Sequence, residues 1–302
     1  MAGASLSAQS APASLRTAVI ISTRNRCADL ARTCAALLEL DPAPDEVLIC
    51  ADGCSDGTVE HLRARYPSFT LLIQGPARGS IPSRDRMMRT ATADVVLSLD
   101  DDSHPIEKDF FARLKTLFAG SPKLAVIDFP QRTDEHPASL TATDFGPARP
   151  RGSYSSAGAA IRRSVYLELG GYPPFFFHAY EEPDFALRCH AAGYEVRFDP
   201  AGTIRHHYTG AQRNEMRTHH YHARNELWSV LMRCPFPQLL PVVAFRVFRQ
   251  FGYAVKRGGG WILREPVWWG KALQGLPQSL AARHPLPWRS YLSWLHLQRD
   301  PK

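Results

Sequence analysis

Three carboxylates in a row, Asp100, Asp101 and Asp102, stand directly behind the apolar run VVLSL at 95–99. Neighbouring like charges repel, so the cluster asks for a counter-charge. Hard oxygen ligands spaced as Asp100-x-Asp102 at a strand end suit Mg²⁺ or Mn²⁺. A solvated acidic loop capping a helix over 105–120 would explain the same residues, because carboxylates favour helix N-termini. A second acidic group, Glu181, Glu182 and Asp184, is carried by EEPDFALR at 181–188. Adjacent carboxylates raise one another's pKa, which helps one of them accept a proton near neutrality as a general base. Pro183 and Asp184 also suit the first turn of a helix, and the two readings can hold together.

The elements that must position these groups alternate in type. Strands are predicted over 17–23, 45–52, 69–74, 93–100 and 123–129, and helices over 27–40, 56–66, 80–92 and 105–120. That alternation argues for βαβ units and a mostly parallel sheet, whose ligands bind outside the carboxyl ends of the strands. Three strand ends carry polar clusters, STRNR (22–26), ADGCSDGT (51–58) and DDDSH (100–104), and they should line one crevice. Residues 130–157 are rich in Pro, Thr, Ser, Gly and Arg and read as a mobile connection. A helix over about 181–193 and a short strand over about 194–198 follow. The aromatic stretch GGYPPFFFHAY (170–180) could stack on an acceptor sugar or plug the core.

Six motifs in order, STRNR, ADGCSDGT, SRDRMMRTATADVVLSLDDDSHP, GAAIRRSVYLELGGY, EEPDFALR and RHHYTG, resemble those of the family 2 glycosyltransferases over roughly residues 17–235. The resemblance implies a GT-A-type, Rossmann-like α/β fold and inverting transfer from a nucleotide-diphosphate sugar. Asp100 and Asp102 match the family's DxD pair. Asp102 would bind the divalent cation, Mn²⁺ or Mg²⁺, and Asp100 the ribose or the metal, with Asp101 as a helper. Thr23, Arg24, Asp52 and Arg84 would line the nucleotide-sugar pocket, although Asp85 stands where the family usually has Asn. Asp52 and its neighbours could equally be ordinary turn formers. Glu182 aligns with the family's catalytic base, with Glu181 and Asp184 as the other candidates. His206 or His207 would add a metal or phosphate contact, with His206 preferred, and at least one of the two could be an ordinary surface histidine. The run HHYH (219–222) invites a zinc reading, but no regular Cys or His pair supports it.

Charge is uneven along the 302 residues. Residues 201–302 carry 15 Lys and Arg against 4 Asp and Glu, a net of +11, whereas the whole chain is +7. An anionic partner is expected there, and a membrane surface fits better than nucleic acid, for which no motif is present. The segment 237–260 is too charged to span a bilayer. Positions 246, 249, 250, 253, 256 and 257 form a polar stripe on an otherwise apolar helix, as in a helix lying in a membrane interface with its cations near the headgroups. Trp261, Trp268 and Trp269 fit such a depth. A helical layer packed on the catalytic part, arginines in solvent, is the alternative.

The expected organisation is a tail over 1–16, a catalytic domain over 17–215 and a basic amphipathic region over 216–302. Within the catalytic domain, 17–130 would bind the donor and 150–215 the acceptor. Six scattered cysteines read as reduced thiols, and the N-terminus lacks the pattern of a signal peptide, so a cytoplasmic protein at the inner face of the cell membrane is expected. The acceptor would be a glycan or a lipid-linked saccharide. A nucleotidyltransferase and a non-catalytic nucleotide-sugar-binding or membrane-scaffolding protein are the rival readings. The first would not need the second acidic group, and the intact Asp100, Asp102 and Glu182 argue against the second.

Overall fold

The structure, a computed structural model, describes residues 15–209 and 214–298. The tail expected over 1–16 therefore lies outside the described residues except for its last two. Eight strands form the main sheet: β1 (Thr17–Thr23), β2 (Glu46–Asp52), β3 (Thr70–Gln74), β4 (Val95–Asp100), β6 (Leu124–Asp128), β8 (Arg149–Pro150), β9 (Gly158–Arg162) and β10 (Glu195–Phe198). Their order is β3-β2-β1-β4-β9-β6-β10-β8. β1, β2, β3 and β4 run parallel, as do β6 and β10. β9 enters antiparallel between β4 and β6. A small second sheet joins β5 (Ser103–Pro105), β11 (Ile204–His206) and β7 (Gln131–Thr133).

Side chains alternate across a strand, so a sheet covered on both faces needs apolar residues at every position. β1 meets that demand over Ala18, Val19, Ile20 and Ile21. Ala18 and Ile20 join one core with Met87, Met88, Phe185, Trp228 and Met232. Val19 and Ile21 join the other with Leu30, Cys34, Leu62, Phe110 and Phe118. The second face is thus covered by α1 (Cys27–Leu38), α2 (Thr58–Arg65) and α4 (Phe110–Ala119). The first carries α3 (Ser80–Thr90), α5 (Arg163–Glu168), α6 (Glu181–Ala191) and α7 (Glu215–Arg233). Full burial of each such side chain is worth about 1.5–3 kcal/mol relative to exposure.

Two expectations change near the acidic triplet. The helix expected from 105 starts at Phe110, and Ser103–Pro105 is instead a strand paired with β11. Asp101 and Asp102 sit on the turn between β4 and β5, so they do not cap α4, whose N-cap is Asp109. The segment 130–157 also gains structure. It contributes β7 and β8 and a 3-10 turn at Pro137–Thr141.

The C-terminal region is helical, with α7 followed by α8 (Leu239–Arg257), α9 (Gly259–Ile262), α10 (Glu265–Gln274), α11 (Leu276–Ala281) and α12 (Trp288–Leu297). It shares a core with the catalytic part, since Leu187 of α6 packs with Val230, Leu239, Tyr291 and Trp294. Trp294 Nε1 donates to the Gly152 carbonyl at 2.7 Å. The polar stripe of α8 is divided, with Arg249, Tyr253, Lys256 and Arg257 exposed and two members turned inward. Arg246 and Gln250 are buried and hold the buried Glu226 of α7, at 2.9 and 2.6 Å, and Arg249 pairs with the same carboxylate. A buried carboxylate needs charge-assisted partners, so Arg246 and Gln250 turn inward. The apolar face is left outside, with Leu240 67%, Phe245 62% and Phe248 75% exposed. Trp268 is buried and bonded to Glu265, so it is no interfacial residue, whereas Trp269 is 38% exposed. Among the described residues no helix is long and apolar enough to cross a membrane.

Candidate active site

The three polar strand ends do meet. Thr23 Oγ1 donates to Asp101 Oδ2 at 2.8 Å, joining the ends of β1 and β4. The first two loops are tied by Ser55 N donating to Asn25 Oδ1 at 2.7 Å and Cys27 N to Asp56 Oδ2 at 3.1 Å. Asp52, buried at the end of β2, accepts from the Arg78 and Gly79 amides at 2.7 and 2.8 Å and from Gln74 Nε2 at 3.1 Å. Its carboxylate thereby shapes the loop that opens α3. Gly79 has φ +100°, and a Cβ there would lie 2.2 Å from the Phe177 carbonyl oxygen. Only glycine allows that approach of α3 to the loop before α6.

The charge question raised by the triplet is answered by two arginines from elsewhere in the chain. Arg26 pairs with Asp101 at 3.1 Å and Asp102 at 2.6 Å. Arg84, on α3, pairs with Asp100 and reaches Glu181 Oε1 at 3.5 Å. Burial pushes the Asp101 carboxyl up to about 7 against the pull of Arg26 and Thr23. Burial would raise Asp102 as well, but His206 and Arg26 outweigh it and hold that carboxyl below its usual range.

His206 Nε2 lies 3.2 Å from Asp102 Oδ1, and its Nδ1 lies 3.1 Å from Gln131 Oε1. Asp100, Asp102 and His206 each offer a ligand atom within 4.8 Å of the others, a set that could hold a metal ion. Two carboxylate oxygens and an imidazole whose other nitrogen meets the Gln131 side-chain amide match the ligands Mn²⁺ accepts. His207 has a different setting. Its Nε2 lies 3.2 Å from His104 Nε2, and burial with the nearby Arg205, Arg32 and His104 lowers it to about 4. Its backbone N–H donates to the Asp102 carbonyl.

The second acidic group opens α6. Glu181 is buried, and burial together with the adjacent Glu182 raises its carboxyl well above the usual range, against the pull of Arg84. Glu182 is the half-buried member of the pair, with Oε1 accepting from the Ser156 amide at 3.3 Å. Asp184 is committed elsewhere. It is buried between Arg188 at 2.9 Å, Arg233 at 3.1 Å and Ser229 at 2.9 Å. Burial would raise its carboxyl, but Arg233 and Arg188 hold it below the usual range. Asp85, at the family's Asn position, accepts from Tyr166 Oη at 2.8 Å and pairs with Arg89.

Of the residues named from sequence, the structure therefore joins Thr23, Asp100, Asp101, Asp102, Arg84, Glu181 and His206 through direct contacts. Glu182 adjoins them, Arg24 is exposed, and Asp52 acts on the neighbouring loop. The aromatic stretch divides. Tyr172, Phe176 and Tyr180 are core, whereas Phe177 stacks on Tyr221 and His178 Nδ1 meets Ser80 Oγ at 3.0 Å. Arg26, Gln131 and the Ser156 amide were missed. Arg26 had a signal, since it lies in STRNR and an acidic triplet at the next strand end requires a cation.

This sheet order and paired acidic site define a recognised class of fold. The structure resembles S. aureus TarS 1–349 in complex with UDP-GlcNAc, with a TM-score of 0.61 at 15% identity over 91% of this chain and 83% of that one. It resembles the mannosyltransferase PcManGT from Pyrobaculum calidifontis in complex with GDP-Man and Mn²⁺, with a TM-score of 0.57 at 18% identity over 92% and 79%. GalNAc-T7 with UDP, GalNAc and Mn²⁺ gives a TM-score of 0.59 at 14% identity over 75% of this chain. The matched region spans 49%, about half, of the GalNAc-T7 chain. A comparison with curated protein sequences gives no match. Residues 18–182, more than half of the chain, match the profile of glycosyl transferase family 2. The chain belongs to that family and is an enzyme of the glycosyltransferase type.

Proposed function

We propose that the protein is a divalent-cation-dependent, inverting glycosyltransferase that moves a sugar from a nucleotide-diphosphate donor to a hydroxyl of a glycan or lipid-linked saccharide. One observation carries the reading: Arg84 ties Asp100 of the triplet to Glu181 of the second acidic group, so a cation-binding cluster and a candidate base share one cleft. Asp102, Asp100 and His206 would hold Mn²⁺ or Mg²⁺, which when bound offsets negative charge on the diphosphate leaving group. Thr23, Arg24, Asp52 and Asp101 border the donor side. Glu182 takes the acceptor hydroxyl's proton as the oxygen attacks the anomeric carbon and the bond to the nucleoside diphosphate breaks on the opposite face. Glu181 is buried against Arg84, which leaves the half-buried Glu182 as the member that solvent and acceptor reach. Incubation with a panel of nucleotide sugars, Mn²⁺ and saccharide acceptors should release nucleoside diphosphate and give a product whose anomeric configuration, read by NMR, is opposite to that of the donor. A retained configuration would rule out direct displacement.

The membrane-facing part of this reading rests on the outward apolar face of α8, beside a C-terminal region of net +11. Large exposed apolar patches mark interaction surfaces, and cations around one favour anionic lipid. A peripheral position at the inner face of the cell membrane is the proposed location. Phe245→Ser with Phe248→Ser should weaken co-sedimentation with anionic vesicles by about tenfold or more, since each ring forfeits about 1.5–3 kcal/mol of burial. Failure of the parent protein to bind such vesicles at low salt would remove the membrane from the account.

A further inference from the structure

Between α7 and α10 lies a cavity of about 150 Å³ that the transfer reaction does not use. It is lined by Asn214, Met216, Arg217, His220, Tyr221, Arg264, Val267 and Lys271, four of them cationic or able to become so and none a carboxylate. Cations on a protein surface are ordinary, but two features set these apart. Among the described residues Arg217, Arg264 and Lys271 have no ion-pair partner, whereas the nearby Glu265 is engaged by His219 Nε2 at 3.0 Å and Trp268 Nε1 at 2.8 Å. His220 is only 9% exposed, and its Nε2 is buried with no hydrogen-bond partner among the described residues. A buried polar atom without a partner costs about 1–3 kcal/mol, a cost recovered if the ring turns to meet an acceptor in the cavity. The volume is several times the ~30 Å³ share of one water molecule, enough for a tetrahedral oxyanion.

A relay of side-chain contacts links the cavity to α3. Tyr221 lines it, and the same ring stacks on Phe177 at 5.3 Å between centroids. The next residue, His178, meets Ser80 at the start of α3, the helix that carries Arg84. On its other side Val267 lines the cavity and is 48% exposed, two positions before the exposed Trp269 on the same helix.

We propose that this cavity is a phosphate-binding site, taking a phosphate mono- or diester through Arg217, Arg264, Lys271 and His220. Arginine and lysine supply charge-assisted donors, and a neutral or protonated imidazole supplies the buried one. The phosphate comes either from a soluble phosphate-bearing acceptor or from a lipid, and in the second case the inference rests on the membrane reading given above.

The test uses the full chain in a chelator, so that no divalent cation can bridge phosphate to the acidic triplet. Inorganic phosphate and glycerol 3-phosphate are titrated by isothermal calorimetry into the parent and into Arg264→Glu/Lys271→Glu, two exposed positions whose change leaves the core intact. Binding by the parent, weakened at least about tenfold in the double variant and unaffected by Asp102→Asn, is the expected result. Equal phosphate affinity in parent and double variant, or no binding by the parent, overturns the proposal. A parallel arm compares sedimentation on phosphatidylcholine vesicles with and without phosphatidic acid. Loss in the double variant of only the phosphatidic acid-dependent part assigns a lipid phosphate, and loss of soluble phosphate binding alone assigns a soluble source. Because Phe245→Ser/Phe248→Ser reads the membrane contact separately, failure of one reading is distinguishable from failure of the other.

Discussion

Glu182→Gln is expected to lower kcat roughly 10²–10⁴-fold, the range a positioned general base contributes, while donor affinity stays near that of the parent. The amide keeps the hydrogen bond from the Ser156 N–H and nearly the same shape. It removes only the capacity to accept the acceptor's proton. Glu182 touches neither Asp102 nor His206 through any described hydrogen bond, so the donor side should be undisturbed. The measurements are steady-state turnover and calorimetric affinity for the nucleotide sugar. Unchanged turnover would place the base elsewhere.

Asp184→Asn is expected to cost stability instead of chemistry. The carboxylate neutralises the buried Arg188 and Arg233, and breaking a buried pair of this kind costs about 3–5 kcal/mol. Urea denaturation of parent and variant gives the difference, and kcat per folded molecule should show no comparable loss. The pH dependence follows from the direction of the shift. Its folded-state carboxyl lies below the ordinary aspartate value of about 3.9. Its contribution is therefore fully present above that value and is lost as pH falls through the lower folded-state pKa. A loss of turnover matching that of Glu182→Gln, without destabilisation, would return Asp184 to the list of candidate bases.

Much of the parallel half of the fold was legible because its strands are buried on both faces and so read as unbroken apolar runs. β1 and β4 sit where the sequence places them, at 17–23 and within 93–100. The antiparallel β9, GAAIR, was not legible as a strand, since small residues carry little strand signal and its place is set by pairing with β4 and β6. The start of α4 was misplaced because Pro105, a good first helical residue, is instead the end of a strand that pairs with β11 across a hundred residues.

The candidate site was legible as a set of residue types and only partly as an arrangement. The triplet and the second acidic group announce themselves by charge density. Their pairing with Arg26 and Arg84 was not legible, because the fold of the loops after β1 and before α3 brings those cations to the triplet. The amphipathic pattern of α8 was visible, but not which face points inward. That choice was made by Glu226, one buried carboxylate on a different helix, which draws Arg246, Arg249 and Gln250 toward it.

The central claim, that Asp100, Asp102 and His206 hold a divalent cation together with the donor's diphosphate, is tested most directly by nucleoside-diphosphate affinity. It should be measured by calorimetry with Mn²⁺ and after chelation, in the parent and in Asp102→Asn. Mn²⁺ is expected to tighten binding by at least about tenfold, or 1.4 kcal/mol, and Asp102→Asn to abolish the difference. Equal affinity with and without Mn²⁺ in the parent would contradict it.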